Sequence, residues 1–222
     1  MDTDRPHRRY LLTLVGLFLL IWGALAINPL NRHDWLLENL LVLGLAVALL
    51  LGHKHYLPSR SAATLIFLYL CIHQLGAHYT YANVPYNEWW QTLTGESLNQ
   101  QMGWERNQYD RLAHFSYGLL LAFPIREVLI RLGLRPGFWS LVLPVDVVLS
   151  TSAIYELIEW FGAEMLDGGL GRTFLASQND HWDAQKDMAL AAGGALIAMI
   201  VTAVTTKVRG QNTRSTAKAD AG

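Results

Sequence analysis

The sequence predicts an all-α fold, a polytopic membrane helix bundle of about six transmembrane helices with both termini cytoplasmic. Three observations carry this expectation. Hydrophobic residues make up 52% of the 222-residue chain and charged residues only 16%, against about 25% charge in soluble domains. The apolar residues gather into runs close to the roughly 20 residues that cross the hydrocarbon of a bilayer. The basic residues between those runs are divided so unevenly that an orientation follows.

The first run, Leu11–Ile27, follows "MDTDRPHRRY". It resembles a secretory signal, with Ala24 and Ala26 at a cleavage position. Its 17 residues exceed the about 7–15 of a signal core, which favours a retained anchor. The second and third runs, Leu36–Leu51 and Ala62–Ala77, are short and draw on flanking residues to span. The fourth and fifth, Leu112–Ile130 and Phe138–Trp160, contain Pro124 and Pro144, which helices in a membrane bundle tolerate. The sixth is Met188–Thr206. Residues 1–206 read as a single integral membrane domain, and 207–222 as a polar, disordered cytoplasmic tail.

Six spans place 12 of the 17 Lys and Arg residues on one side, which marks that side as cytoplasmic. The other side holds Arg32, Arg106, Arg111, Arg172 and Lys186. It also carries an aromatic rim that includes Trp35, Trp89, Trp90, Trp104, Trp160 and Trp182, suited to the headgroup zone. Two long connections lie there, Tyr79–Arg111 and Phe161–Asp187, and the first is expected to carry a short amphipathic helix on the membrane surface. The net charge of −1 gives no reason to expect nucleic acid as a partner. The single cysteine, Cys71, allows no internal disulfide and no zinc site built on paired cysteines. G-x-S-x-G, P-loop and H-E-x-x-H motifs are absent.

The same topology collects unusual polar residues at the outer leaflet. His73 and His78 lie in the outer half of span three, Asp110 and His114 open span four, Glu156 and Glu159 close span five, and Asp180, Asp183 and Asp187 lead into span six. Asp34, Glu38 and Asn39 open span two from that side. Asp110 and His114 are four residues apart, as are Asp183 and Asp187, while Glu156 and Glu159 are three apart, so each pair shares a helix face. Carboxylates and imidazoles at these spacings can ligate a metal within a helix bundle. They serve equally well as a proton relay.

Simpler roles compete at each position. Asp110, Asp180 and Asp183 suit helix N-termini as caps. His73 and His78 suit hydrogen bonds to a neighbouring helix. Glu156 and Glu159 are harder to account for, because the helix C-terminus repels anions. A salt bridge to Arg172 or Arg111 is their structural explanation, and a bound metal is the functional one. Asp146 lies deeper in span five, where an ionisable group is a functional suspect. "DGGLGRTF" reads as a turn or as a mobile loop over the site.

The segments "INPLNRHDWLLENLLV", "GAHYTYANVPYN", "YDRLAHFSYGLLL", "YELIEW" and "WDAQKDM" together resemble the YjdF-like family of uncharacterised bacterial inner-membrane proteins, over nearly the whole chain to about Thr206. That resemblance implies a multi-pass inner-membrane protein and supplies no activity. The C-terminal half is also similar in outline to VanZ-like proteins, through Asp110, Arg111, His114, Phe115, Glu156, Asp183, Asp187, Gly193 and Gly194, with Arg111 where lysine is usual. This implies work at the cell envelope.

The functional expectation is an enzyme at the periplasmic leaflet that modifies or cleaves a lipid or lipid-linked headgroup. His114, Glu156, Glu159, Asp183 and Asp187 are its candidate acid–base residues or ligands. His78, Asp110, His114, Glu156, Glu159, Asp183 and Asp187 are the candidate ligands of a divalent metal. The lipid bilayer is the expected partner, and a lipid-linked molecule the expected substrate. The rival expectations are a small proton-coupled transporter, with a polar path inward through Asp146, Ser150, Thr151, Ser152 and Gln74, and a non-catalytic envelope scaffold.

Overall fold

The computed structural model describes residues 4–52, 57–165, 178 and 180–219, and among them it contains eight helices and no strand. They are α1 Asp4–Leu25, α2 Arg32–Gly52, α3 Arg60–Tyr79, α4 Tyr86–Thr94, α5 Leu98–Met102, α6 Tyr109–Arg131, α7 Trp139–Met165 and α8 Asp183–Ala219. Six of these, α1, α2, α3, α6, α7 and α8, are long and apolar enough to cross a membrane. The six-span helical bundle read from the sequence is the observed architecture. Pro124 and Pro144 are buried inside unbroken helices. The two runs that looked short are helices of 21 and 20 residues.

The bundle is built around α6 and α8, and small residues set their crossing. A Cβ on Gly118 would lie 1.8 Å from the backbone oxygen of Ala191, and one on Gly194 would lie 2.2 Å from that of Phe115. Only glycine permits backbones this close, the device by which membrane helices pack without a hydrophobic driving force between them. Ala122, Ala191, Ala195, Ala198 and Met199 continue this seam, and Val148 of α7 closes on it. Many other apolar side chains of the spans, among them Leu12, Leu20, Leu43, Leu50 and Ile200, are exposed, as lipid-facing residues must be.

Specific contacts tie the two ends. At one end, Tyr10 of α1 hydrogen-bonds Thr64 of α3 at 2.5 Å, the Ser59 N–H donates to Glu127 of α6 at 3.2 Å, and Arg126 donates to Ser140 of α7 at 3.4 Å. The opposite end, here called the polar end, gathers the starts of α2, α6 and α8 and the ends of α3 and α7. There the Leu30 N–H donates to the His78 carbonyl at 2.8 Å. The connection after α3 carries not one surface helix but two, α4 and α5. Trp89, Trp90 and Leu93 of α4 are exposed, which suits a helix lying on a bilayer. The tail from Lys207, whose composition predicts disorder, continues α8 as helix to Ala219. Alanine, lysine and arginine in that stretch are good helix formers, and an existing helix propagates without a new nucleus.

Candidate functional site

Three helices, α6, α7 and α8, deliver the polar residues to one place. α6 begins at Tyr109, and the Asn107 side chain, not Asp110, accepts the Tyr109 N–H at 2.9 Å. Asp110 is therefore free of capping and buried at 8% exposure, one turn above His114. The His114 Nε2 stands 3.7 Å from Asp110 Oδ1 and 3.5 Å from Glu156 Oε1 of α7. Asp187 of α8, 2% exposed, completes the group, and one ligand atom from each of Asp110, His114 and Asp187 lies within 4.8 Å of the other two.

Two oxygens in this group, Glu156 Oε1 and Asp187 Oδ1, are buried without a hydrogen-bond partner. Leaving a buried acceptor unpaired costs about 1–3 kcal/mol. The spacing suits a cation. Ligand atoms about 2.1 Å from one tetrahedral ion are about 3.4 Å apart, so the group reaches coordination distance when its widest separation closes by up to about 1.4 Å. Two carboxylates and an imidazole form a donor set for zinc or another first-row divalent ion.

The cations sit outside this group, held by two other aspartates. Arg106 grips Asp183 through two nitrogens, at 2.5 Å and 3.3 Å, and approaches Asp180 at 3.6 Å. Arg111 bonds Asp180 and lies 3.6 Å from Asp183. Lys186 reaches Asp180 at 2.6 Å. Asp180 also accepts the Trp182 N–H at 3.1 Å, so it caps the turn into α8 as expected. The Lys186 ammonium, followed by the Trp182 N–H, holds the Asp180 carboxyl down at about 2. Asp183, predicted as a ligand or acid–base residue, serves this ion-pair network.

The salt bridge anticipated between Arg111 and Glu156 or Glu159 is not what the structure shows, because Arg111 is committed to the aspartates. Arg172 and "DGGLGRTF" lie outside the described residues. Glu159 is buried at 8% exposure on the turn after Glu156. His78 does not join the group. Its Nδ1 donates to the Leu25 carbonyl at 2.8 Å and its ring meets Tyr79 edge-on, so it fixes the α1–α2 connection against α3.

Next to the carboxylates is a cavity of about 290 Å³ lined by Tyr69, Tyr81, Tyr117, Tyr155, His73 and His114, with Asp110, Ala113, Leu41, Thr151 and Ser152. The structure adds two partners, Tyr155 and Tyr81, that sequence spacing alone did not single out. Tyr155 donates to both oxygens of Glu38 at 3.1 Å. Tyr81 bonds His73 Nδ1 at 2.6 Å, and His73 Nε2 lies 3.2 Å from the Glu38 carbonyl. A carbonyl only accepts, so the His73 proton sits on Nε2 and Tyr81 donates to Nδ1. Burial pushes the Tyr81 hydroxyl well above its ordinary value, which keeps it a donor.

Tyr81 arrives there because α3 ends on two left-handed residues, Thr80 at φ 56° and Tyr81 at φ 49°. This throws the ring back over Gly76, where a Cβ would lie 2.5 Å from Tyr81 Cε1. The signal in the sequence was "GAHYTY", a glycine five residues before a tyrosine at a helix end.

Comparison with known proteins agrees with this architecture. Residues 10–207 match a family described as predicted membrane protein (DUF2238). The chain is 38% identical over 178 residues to inner membrane protein YjdF of Escherichia coli (strain K12), covering 78% of this chain and 81% of that one. No solved structure matches. A six-span helical membrane protein that matches the family pattern along almost its entire length, the chain belongs to the DUF2238 family of predicted membrane proteins.

Proposed function

We propose that this protein is an inner-membrane enzyme whose polar end faces the periplasm, where it acts on a lipid or lipid-linked headgroup with a divalent metal held by Asp110, His114 and Asp187. The observation that carries the reading is the convergence of those three ligands with two unpaired buried carboxylate oxygens, Glu156 Oε1 and Asp187 Oδ1. The inner-membrane assignment draws on the Escherichia coli relative, and the orientation on the excess of basic residues at the opposite side.

A divalent ion here would polarise a phosphoryl or carbonyl oxygen, or acidify a bound water. Glu156, 3.5 Å from His114 and otherwise unpartnered at Oε1, is placed to take or give the proton. Glu159 lies behind it as a second buried carboxyl. The arginines and Lys186 rim the site through Asp180 and Asp183 and rigidify the mouth.

Transport has less support. Its inward path was expected to pass Asp146, but Asp146 is exposed on α7 and does not line the cavity, whose inner lining includes Thr151 and Ser152. Gln74 is fully buried and donates to Asn39 at 3.1 Å, a helix-to-helix tie.

The test is headgroup turnover. Proteoliposomes of Escherichia coli polar lipid, supplemented with zinc or manganese, are incubated with wild-type protein or Glu156→Gln, and the extracted lipids are followed by mass spectrometry. The reading predicts a changed headgroup species with wild type and at least a 100-fold slower change with the variant. Equal lipid profiles in both samples contradict it.

A further inference from the structure

The tyrosine-lined cavity is larger and deeper than a metal site requires. Asp110 and His114 form its top. Tyr117 lies seven residues further along α6, about 10 Å deeper along the helix axis. The floor is therefore at the level of the hydrocarbon, not the headgroups.

Exposure along the lining changes with depth. His73 and Asp110 are 3% and 8% exposed, whereas Leu41 is 45% exposed and Thr151 is also exposed. Leu41 belongs to α2 and Thr151 to α7, so the cavity opens sideways between these two helices. At the polar end they are joined by the Tyr155–Glu38 hydrogen bond. Below Glu38 no residue of α2 is buried, so no described residue of α2 closes the gap there. In a six-span protein the medium outside that gap is lipid.

One more feature selects the occupant. The Ser152 hydroxyl lines the cavity at 3% exposure and has no hydrogen-bond partner. It lies one turn, about 6 Å, below Glu156. A buried serine in a span ordinarily bonds its own helix or a neighbour. An idle donor at this depth, between a carboxylate cluster and an apolar exit, suits an acyl ester carbonyl. A second cavity, of about 210 Å³ between α1, α2 and α3, is lined by apolar residues such as Leu14, Phe18 and Phe67 and has no such polar group, as an ordinary lipid crevice would.

We infer that the cavity is a lateral port that admits one acyl chain of a membrane phospholipid between α2 and α7, with its ester carbonyl at Ser152 and its headgroup beside Asp110, His114 and Glu156. The volume of about 290 Å³ is at the small end of the ~300–1,000 Å³ range of ligand sites, which suits a single chain and not two. This deepens the proposed reading by naming the substrate class, and it is tested without any turnover.

The experiment uses the full chain in liposomes containing phosphatidylethanolamine with a diazirine in the first carbons of one acyl chain, beside the ester. After photolysis, labelled peptides are mapped. Cross-links are expected on the buried lining, at His73, Ala113 and Ser152, as well as on lipid-facing Leu149. Ala113→Phe and, separately, Ser152→Leu should reduce the lining cross-links at least five-fold and leave Leu149 labelled, which reports that the protein is still inserted. Cross-links confined to Leu149 and other exposed residues in the wild type overturn the port. Asp187→Asn separates the two claims, because it removes a metal ligand and should keep the His73 and Ser152 cross-links. If headgroup turnover fails while these cross-links persist, the port stands and the enzymatic reading falls.

Discussion

Tyr155 of α7 donates its hydroxyl to both carboxylate oxygens of Glu38 of α2, at 3.1 Å each, across 117 residues of sequence. Glu38 is 6% exposed, so the bond both satisfies a buried acid and fastens α2 to the bundle. Tyr155→Phe should cost about 1–3 kcal/mol, because it leaves that carboxyl without its hydroxyl partner. Thermal unfolding in mild detergent measures this. An unchanged melting temperature would show that the bond does not hold α2.

The ion-pair network is expected to be structural and not catalytic. Arg106 and Asp183 are 13% and 8% exposed at their side chains, and truncating one partner of such a pair costs about 3–5 kcal/mol. Arg106→Ala should therefore destabilise strongly. The double variant Arg106→Met/Asp183→Leu should recover much of the loss, since neither member of the pair is left without the other. A double-mutant cycle that shows no coupling contradicts the pairing.

Glycine at the α6–α8 crossing makes a sharp contrast. Gly118→Leu places a side chain where the Ala191 backbone oxygen already lies, so the variant should lose the monodisperse peak in size-exclusion chromatography. Gly193, one residue from the seam, has nothing within 4 Å of an added Cβ. Gly193→Ala should be neutral or stabilise by up to about 1 kcal/mol through helix propensity. Equal behaviour of the two variants would refute the crossing.

Asp180 gives a pH signature at the polar end. Its carboxyl is held at about 2 in the folded protein, below its ordinary 3.8, chiefly by Lys186. A depressed folded value means that the stabilisation is complete above the unfolded value and is lost as pH falls through about 2. The melting-temperature gap between wild type and Asp180→Asn should thus be widest near about pH 5 and close towards about pH 2. A gap that stays constant over that window contradicts the role given to Lys186.

The spans were legible because apolar length is a one-dimensional property, and the polar end was legible because alternating spans fix which residues share a leaflet. The i, i+4 spacing correctly paired Asp110 with His114, since both lie on one helix. What spacing cannot give is the rotation of one helix against another. Asp183 and Asp187 share a face of α8, yet Asp183 turns to Arg106 and Asp187 to His114. His78 looked equivalent to the other candidates and instead meets the Leu25 carbonyl, a backbone acceptor that carries no residue-type signal. Tyr81 depends on two left-handed residues after α3, and neither Thr80 nor Tyr81 is a residue that advertises positive φ.

The central claim is that Asp110, His114 and Asp187 form a metal centre. Its most direct test is the metal content, by plasma mass spectrometry, of protein purified in mild detergent without chelator and offered zinc, manganese and magnesium. His114→Ala and Asp187→Asn are prepared alongside. The account predicts close to one ion per chain in the wild type and a loss of at least ten-fold in each variant, with helical content unchanged by circular dichroism. A folded wild-type protein that takes up none of the three ions, or variants that retain it fully, would contradict the claim.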